Sequence, residues 1–295
     1  MPLITETDAL ARFCAACLDA PYVTVDTEFL RERTYYAQLC LVQLARPGAD
    51  PGSAALVDTL AEGLSLEPLY DLFRAPGTVK VFHAARQDLE IFATTAGVIP
   101  RPFFDTQVAA MVCGYGDQVG YETLARQIAR AAIDKSSRFT DWTRRPLSAA
   151  QIEYALADVT HLRKIYEVLS KRLAETGRGP WVEEELAVLM DPETYRSDPE
   201  TAWTRLKTRS TAPKFLGALK ELARFREEAA QSRNVPRGRI LKDDALLELA
   251  ANRPRNIDDL GKSRLLLREA RRGDIAEGIL AAIAAADVLP PGAVP

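Results

Sequence analysis

Histidine is almost missing from this chain, with two residues in 295. A zinc centre of the usual kind would lack partners. Cysteine is nearly as scarce, at four. Cys14 and Cys17 have C-x-x-C spacing, which occurs in redox and zinc sites. They fall inside a helical pattern, DALARFCAACLDA, not between a strand and a helix, and Cys40 and Cys113 stand far away. All four read as buried structural thiols. No segment approaches the roughly 18 uninterrupted apolar residues of a membrane span. The N-terminus, MPLITETDAL, has no basic stretch before an apolar run, so no secretory signal is expected and the protein reads as cytoplasmic. Positive charge is not in excess either, since the net charge is −3. That value hides an asymmetry: residues 1–199 carry 20 basic and 28 acidic side chains, residues 200–295 carry 18 and 13. An acidic half beside a basic half suits cation binding in one and phosphate binding in the other. Two ordinary surfaces would give the same numbers.

What is present suffices for two domains. With 47% hydrophobic residues, a chain of this length can bury a core in each. Residues 6–19 read as an amphipathic helix. Strand patterns follow at 22–29 (YVTVDTEF), 34–45, 54–60 and 79–84, with a short fifth near 103–105. Helical patterns lie at 66–74, 88–96, 106–113 and 121–131. The first part is therefore α/β, a sheet with helices on its faces. The longest helix signal covers 148–176, opened by a capping box of Ser148 and Gln151 and stopped by Gly177. A short helix near 181–190 precedes the turn-rich stretch DPETYRSDPETAW. Beyond it the pattern is only helical, at 213–231, 241–250, 256–260, 262–271 and 274–285. The organisation expected is a domain over 1–190, a linker over 191–203, a helical domain over 204–286 and a loose tail over 287–295.

Asp26 and Glu28 sit two apart on the first strand. Both therefore point to one face, with Cα atoms roughly 6.7 Å apart, while Val23 and Val25 take the other. Neighbouring carboxylates in an apolar strand are costly as buried charges. A divalent cation removes that cost, and oxygen donors suit Mg²⁺ or Mn²⁺. The pair alone fits a solvent face equally well. Asp158 falls mid-helix in QIEYALADVTHL, four residues after Tyr154, so the two share a face. Tyr154 then either positions water beside a metal ligand or sits half-buried with its hydroxyl on Asp158. Asp88 opens a helix, either as an acid satisfying the dipole or as a fourth ligand. Asp105, before TQVAAMV, reads as an N-cap.

The runs VDTEFLRERTYYAQLCLVQLA, FHAARQDLEIF and YALADV occur in the order of the three motifs of the DEDD 3′–5′ exonucleases, which the chain resembles over about 22–170. The Tyr154-x-x-x-Asp158 spacing is that of the tyrosine branch. DTEFLRERTYYAQLCLVQ and DKSSRFTDWTRRPLS (134–148) resemble the ribonuclease D family in particular. The resemblance implies a ribonuclease H-like fold, a mixed five-stranded sheet flanked by helices. It implies Asp26, Glu28, Asp88 and Asp158 as ligands of two divalent cations, Mg²⁺ or Mn²⁺, with Tyr154 orienting the attacking water. Residues 219–254 resemble the HRDC domain, a small all-α nucleic-acid-binding unit. Longer members carry a second such domain, for which this chain is too short. The implied activity is release of 5′-mononucleotides from RNA 3′ ends, in tRNA maturation and trimming of structured-RNA precursors, by a monomer.

Expected substrate contacts lie near those motifs. Phe29 and Leu30 suit stacking or wedging against terminal bases. Arg31 and Arg33 suit phosphates, Trp142 with Arg144 and Arg145 suits the mouth of a groove, and His83 stands beside the second motif. Arg237, Arg239 and Lys242 are the expected RNA contacts of the helical domain. Each has a structural alternative: core packing for Phe29, an anchoring indole for Trp142, satisfied rings for His83 and His161, a solvated helix face for the basic residues. Two other functions share the same residues. One is a 3′–5′ exodeoxyribonuclease, since sugar choice rests on 2′-OH contacts that a sequence does not display. The other is a non-catalytic RNA 3′-end binding protein.

Overall fold

The structure, a computed structural model, describes residues 3–289; residues 290–295 of the expected tail lie outside the described residues. The chain forms two compact units. One comprises the residues up to Leu30 together with Ala37–Arg196, and the other takes Arg31–Tyr36 and everything from Ser197 onward. The linear division therefore needs one correction, because residues 31–36 pack with the C-terminal unit.

The first unit is built on a mixed sheet of six strands: β1 (Leu3–Ile4), β2 (Tyr22–Leu30), β3 (Gln38–Ala45), β4 (Ala54–Val57), β5 (Val79–Phe82) and β6 (Phe103–Asp105), in the order β1-β4-β3-β2-β5-β6. The β2–β3 and β3–β4 pairs are antiparallel and the other three parallel. Five of these strands match the expected ones. The sixth, β1, is two residues long and has no periodicity to betray it. The second expected strand begins at Gln38 and not at 34.

Alternation along β2 decides what each face meets. Val23 and Val25 pack into a core with α1 (Thr7–Leu18), α2 (Glu67–Arg74) and α3 (Arg86–Ala96). Cys14 and Cys17 lie in that core, and burial pushes both thiols up to about 12, so the C-x-x-C is structural. Thr24, Asp26 and Glu28 take the opposite face, under α6 (Ala149–Thr176); the Thr24 hydroxyl donates to the Val159 carbonyl at 2.8 Å. The Ser148–Gln151 capping box starts α6, and Gly177, at φ +66°, ends it in the left-handed region. Helices α4 (Thr106–Val112), α5 (Tyr121–Leu124) and α7 (Gly179–Leu186) complete this layer.

The register then leaves an opening. Pairing of β5 with β2 covers only Tyr22–Thr24. Beyond Thr24 that edge of β2 is unpaired, and the two acids follow directly. After Phe82 the chain turns through Ala84, at φ +55°, into α3. The turn is held by the Asp105 carboxylate, which accepts from the Ala84 and Ala85 amides at 3.0 and 2.9 Å and caps α4 through the Gln107 amide at 2.7 Å.

In the second unit, helices α8 (Pro213–Arg233), α9 (Arg237–Ile240), α10 (Asp243–Asn252), α11 (Ile257–Gly261) and α12 (Gly273–Asp287) enclose a core of Leu, Ile and Ala. Close approach of α8 and α12 requires a glycine, because a Cβ on Gly278 would stand 2.0 Å from the Phe225 ring. Two expectations are corrected here. Only 268–271 of the 262–271 segment is helical, as a 3₁₀ turn, and α12 runs on to Asp287, the first residue of the expected loose tail.

Residues 31–36 form a strap in this unit. The Tyr35 hydroxyl donates to Glu227 and accepts from Arg237 at 2.8 Å and Gln231 at 3.1 Å. The Arg237 guanidinium stacks 4.7 Å above the Tyr35 ring. The Tyr36 amide donates to Asn234 at 3.1 Å.

Candidate active site

The open edge of β2 forms one wall of a cleft of about 610 Å³, lined among others by Asp26, Glu28, Phe29, His83, Asp88, Tyr154 and Asp158. Asp26, Glu28 and Asp158 each offer an oxygen within 4.8 Å of the others. Residues 130 positions apart are thus brought together by two local facts: a period-2 strand puts the first two acids on the α6 face, and a capped helix puts the third opposite them. Asp88 comes from the other layer. It is buried at the start of α3, shares the cleft, and accepts a hydrogen bond from Thr27.

Four carboxyl groups in one pocket repel one another. Burial, then the charge of Asp158, raises Asp26 far above the ordinary carboxylate range. Glu28 is pushed up to about 10 by burial and its three acidic neighbours, with Arg138 opposing. Asp88 is raised by burial and Asp26. Asp158 reaches about 7, raised by burial and restrained by a hydrogen bond from Tyr154 and the charge of Arg138. The all-oxygen donor set and the mutual repulsion fit a hard divalent cation, and these carboxylates are the ones that would hold it.

These acids titrate near 4 in the unfolded chain and far higher when folded, so the folded state retains protons that the unfolded state releases. The associated stability is present below about pH 4 and is lost as pH rises through 7 towards 10. With metal chelated, the unfolding free energy is expected to fall between pH 6 and 9, at up to about 1.4 kcal/mol per retained proton per pH unit, and the melting temperature with it. Saturating Mn²⁺ or Mg²⁺ should flatten that slope. Scanning calorimetry with EDTA and with metal tests this; parallel slopes would mean that no cation occupies the cluster.

Tyr154 keeps its proton. Burial, with Asp158, Glu28 and Asp26 around it, raises its hydroxyl well above the usual phenol range. Behind it lies Trp142, ring centroids 6.2 Å apart. Here a sequence expectation is corrected: Trp142 is 4% exposed, packed with Leu41, Leu147 and Ala155, and backs Tyr154 instead of lining a groove. Arg145 fixes that arrangement through two bonds to Asp58, at 2.7 and 2.6 Å, and others to the Trp142 and Cys40 carbonyls.

Other expected contacts separate. Phe29 and His83 line the cleft. The His83 ring bonds Thr106 through Nδ1 at 2.9 Å, and burial lowers its pKa, which keeps it neutral. Leu30 packs against the Leu41–Trp142 cluster and does not line the cleft. Arg144 is outward, paired with Asp141 at 3.5 Å. Arg31 and Arg33 fall on the strap, outside the cleft lining. Arg237 is committed to Glu227 through two bonds, 2.6 and 2.5 Å. Arg239 is exposed, and Lys242 lines a pocket of the second unit with Arg205 and Arg226. The sequence reading did not single out Gln107, Tyr121, Arg138 and Phe139, which also line the cleft. Only the position of the last two inside DKSSRFTDWTRRPLS could have drawn notice.

Known proteins resemble both parts of the chain. Residues 1–174 match the family model of a 3′–5′ exonuclease domain, and residues 215–283 that of the HRDC domain. The chain is 65% identical over 292 residues to the ribonuclease D of Jannaschia sp. (strain CCS1), covering 99% of this chain and 76% of that one. It is 52% identical to the ribonuclease D of Granulibacter bethesdensis, covering 99% and 73%. The crystal structure of Escherichia coli RNase D, described as an exoribonuclease involved in structured RNA processing, superposes with a TM-score of 0.89 at 32% identity, covering 100% and 77%. No helix among the described residues is long and apolar enough to cross a membrane.

Proposed function

The chain belongs to the ribonuclease D family and is a 3′–5′ exoribonuclease, and we propose that it trims structured-RNA precursors, tRNA 3′ ends among them, by hydrolysis with two divalent cations. The observation that carries this reading is the convergence of Asp26, Glu28 and Asp158 within 4.8 Å at the unpaired edge of β2, with Asp88 in the same cleft.

Asp26, Glu28, Asp88 and Asp158 would hold the cations. When bound, these ions supply Lewis-acid polarisation of the scissile phosphate and of the attacking water. Tyr154, protonated at neutral pH, is no base. Its hydroxyl donates to Asp158 and offers a lone pair that aims the water, while Trp142 fixes the ring. Phe29 bounds the cleft where the terminal base would lie. In the second unit, Arg239 and Lys242 are exposed and available to phosphates. The protein acts as a monomer on this reading.

The test is incubation with a labelled 3′-extended tRNA and a matched DNA strand, with and without Mn²⁺. Mononucleotides released from RNA alone, and only with metal, are expected; binding without release would end the proposal. Tyr154→Phe should slow turnover by about 10²-fold with RNA affinity within twofold. An unchanged rate would remove Tyr154 from the mechanism.

A further inference from the structure

The mouth of the cleft carries an exposed aromatic that nothing in the fold explains. Phe139 is 90% exposed, the most exposed of the large apolar side chains among the described residues. A phenylalanine normally gains from burial, so a ring left in water is informative when it is also fixed in place. This one is. The turn bearing it is tied down on both sides: Ser137 is buried, its carbonyl accepts from Thr140 Oγ1 at 2.7 Å, and Thr140 Oγ1 accepts from Gln151 Nε2, in the first turn of α6, at 3.1 Å. The ring therefore projects from an anchored turn and not from a slack loop.

Its neighbour completes the feature. The Arg138 guanidinium lies 5.3 Å from the Phe139 centroid, within cation–π range. Both residues line the same cleft as Glu28, Tyr154 and Asp158. Arg138 is exposed, and its charge lowers the carboxyls of Glu28 and Asp158 on the same cleft lining. One ring face is covered by a cation and the remaining apolar surface is open. Next to it, the positive group stands on the lining of the cleft that holds the acids.

We propose that Arg138 and Phe139 form the substrate lip of the cleft, Phe139 stacking on an unpaired nucleobase near the RNA 3′ end and Arg138 contacting the adjoining phosphate. The proposal rests on the exoribonuclease reading and adds a specificity element to it. Stacking accepts any base, because every base has a π-face, which suits trimming of varied 3′ ends. It requires an unstacked base, so the lip favours single-stranded ends over paired ones.

The experiment uses the full chain, with Phe139→Ala, Phe139→Trp and Arg138→Gln. Affinity for a fluorescent single-stranded oligoribonucleotide is read by anisotropy without metal. Steady-state kinetics are read with Mn²⁺, on the same RNA and on versions carrying one abasic ribose at each of the last four positions. Phe139→Ala should raise Kd and KM about tenfold, in the range of a lost base–aromatic stack, with kcat within twofold and unfolding temperature unchanged. Phe139→Trp should restore binding. At one position the abasic RNA should weaken the wild type by a similar factor and leave Phe139→Ala unaffected, since the same contact is already missing. Arg138→Gln should lower kcat/KM and reduce the salt dependence of binding by about one phosphate contact. If the wild type trims RNA but Phe139→Ala binds equally well, or the abasic penalty is the same in both proteins at every position, the lip is wrong and the ribonuclease reading stands. A wild type that releases nothing overturns the reading and the lip together.

Discussion

Asp26→Asn should lower the rate of RNA hydrolysis at saturating Mn²⁺ by about 10³-fold or more, since electrostatic stabilisation of the phosphoryl transition state is lost along with a ligand. Asp26 sits on the strand that faces α6 and shares its pocket with Glu28 and Asp158. The same substitution should stabilise the metal-free protein. Asparagine keeps the shape of the side chain and imitates the protonated acid at every pH, which removes the cost of a charge at this buried place and its repulsion by Asp158. Above neutral pH the metal-free melting temperature should therefore rise by a few degrees, about what 1–2 kcal/mol provides in a chain of this size. The increase that Mn²⁺ gives the wild type should shrink. A dead variant with lower stability would indicate a merely structural residue. Full activity would remove Asp26 from the metal site.

Glu227→Leu should cost the second unit about 3 kcal/mol, within the range for removing one partner of a buried ion pair. Glu227 is 1% exposed and serves three groups: Arg237 through two bonds, Tyr35, and Arg205 at 3.3 Å. Burial alone would raise its carboxyl, but the bonds from Arg237 and Tyr35 bring it below the ordinary value. Its contribution is thus present above the unfolded pKa, near 4.5, and is lost as pH falls through the lower folded value. Removing it leaves the Tyr35 hydroxyl and part of the Arg237 guanidinium without their acceptor. Denaturant unfolding gives the magnitude. Hydrogen exchange gives the place: protection should drop first in 31–36 and around 227–237. A loss under 1 kcal/mol, with 31–36 still protected, would show that the strap is held by packing alone.

Much of this site was legible because it rests on short-range spacing. The alternation that puts Asp26 and Glu28 on one face of β2 is a property of nine consecutive residues. So is the pairing of Tyr154 with Asp158 on one turn of α6, and so is the Ser148–Gln151 cap that fixes where that helix begins. What escaped has longer reach or weaker local signal. The strand Leu3–Ile4 is visible only through its partner, Leu56–Val57. Trp142 looked like a groove residue until Leu41, Leu147 and Ala155 closed over it. Arg237 looked like an RNA contact until a glutamate ten residues earlier on another helix claimed it.

By itself the sequence determined the longer elements, the side chains each presents and the chemistry those side chains can perform. Strand and helix periods act over a few residues and are written in consecutive letters. Only the tertiary structure decided the rest: that β5 stops short and leaves the edge of β2 open, that residues 31–36 serve the second unit, and that Arg138 and Phe139 stand at the cleft mouth. Those outcomes depend on which buried charge finds which partner across tens to hundreds of residues, and such a choice has no period to read.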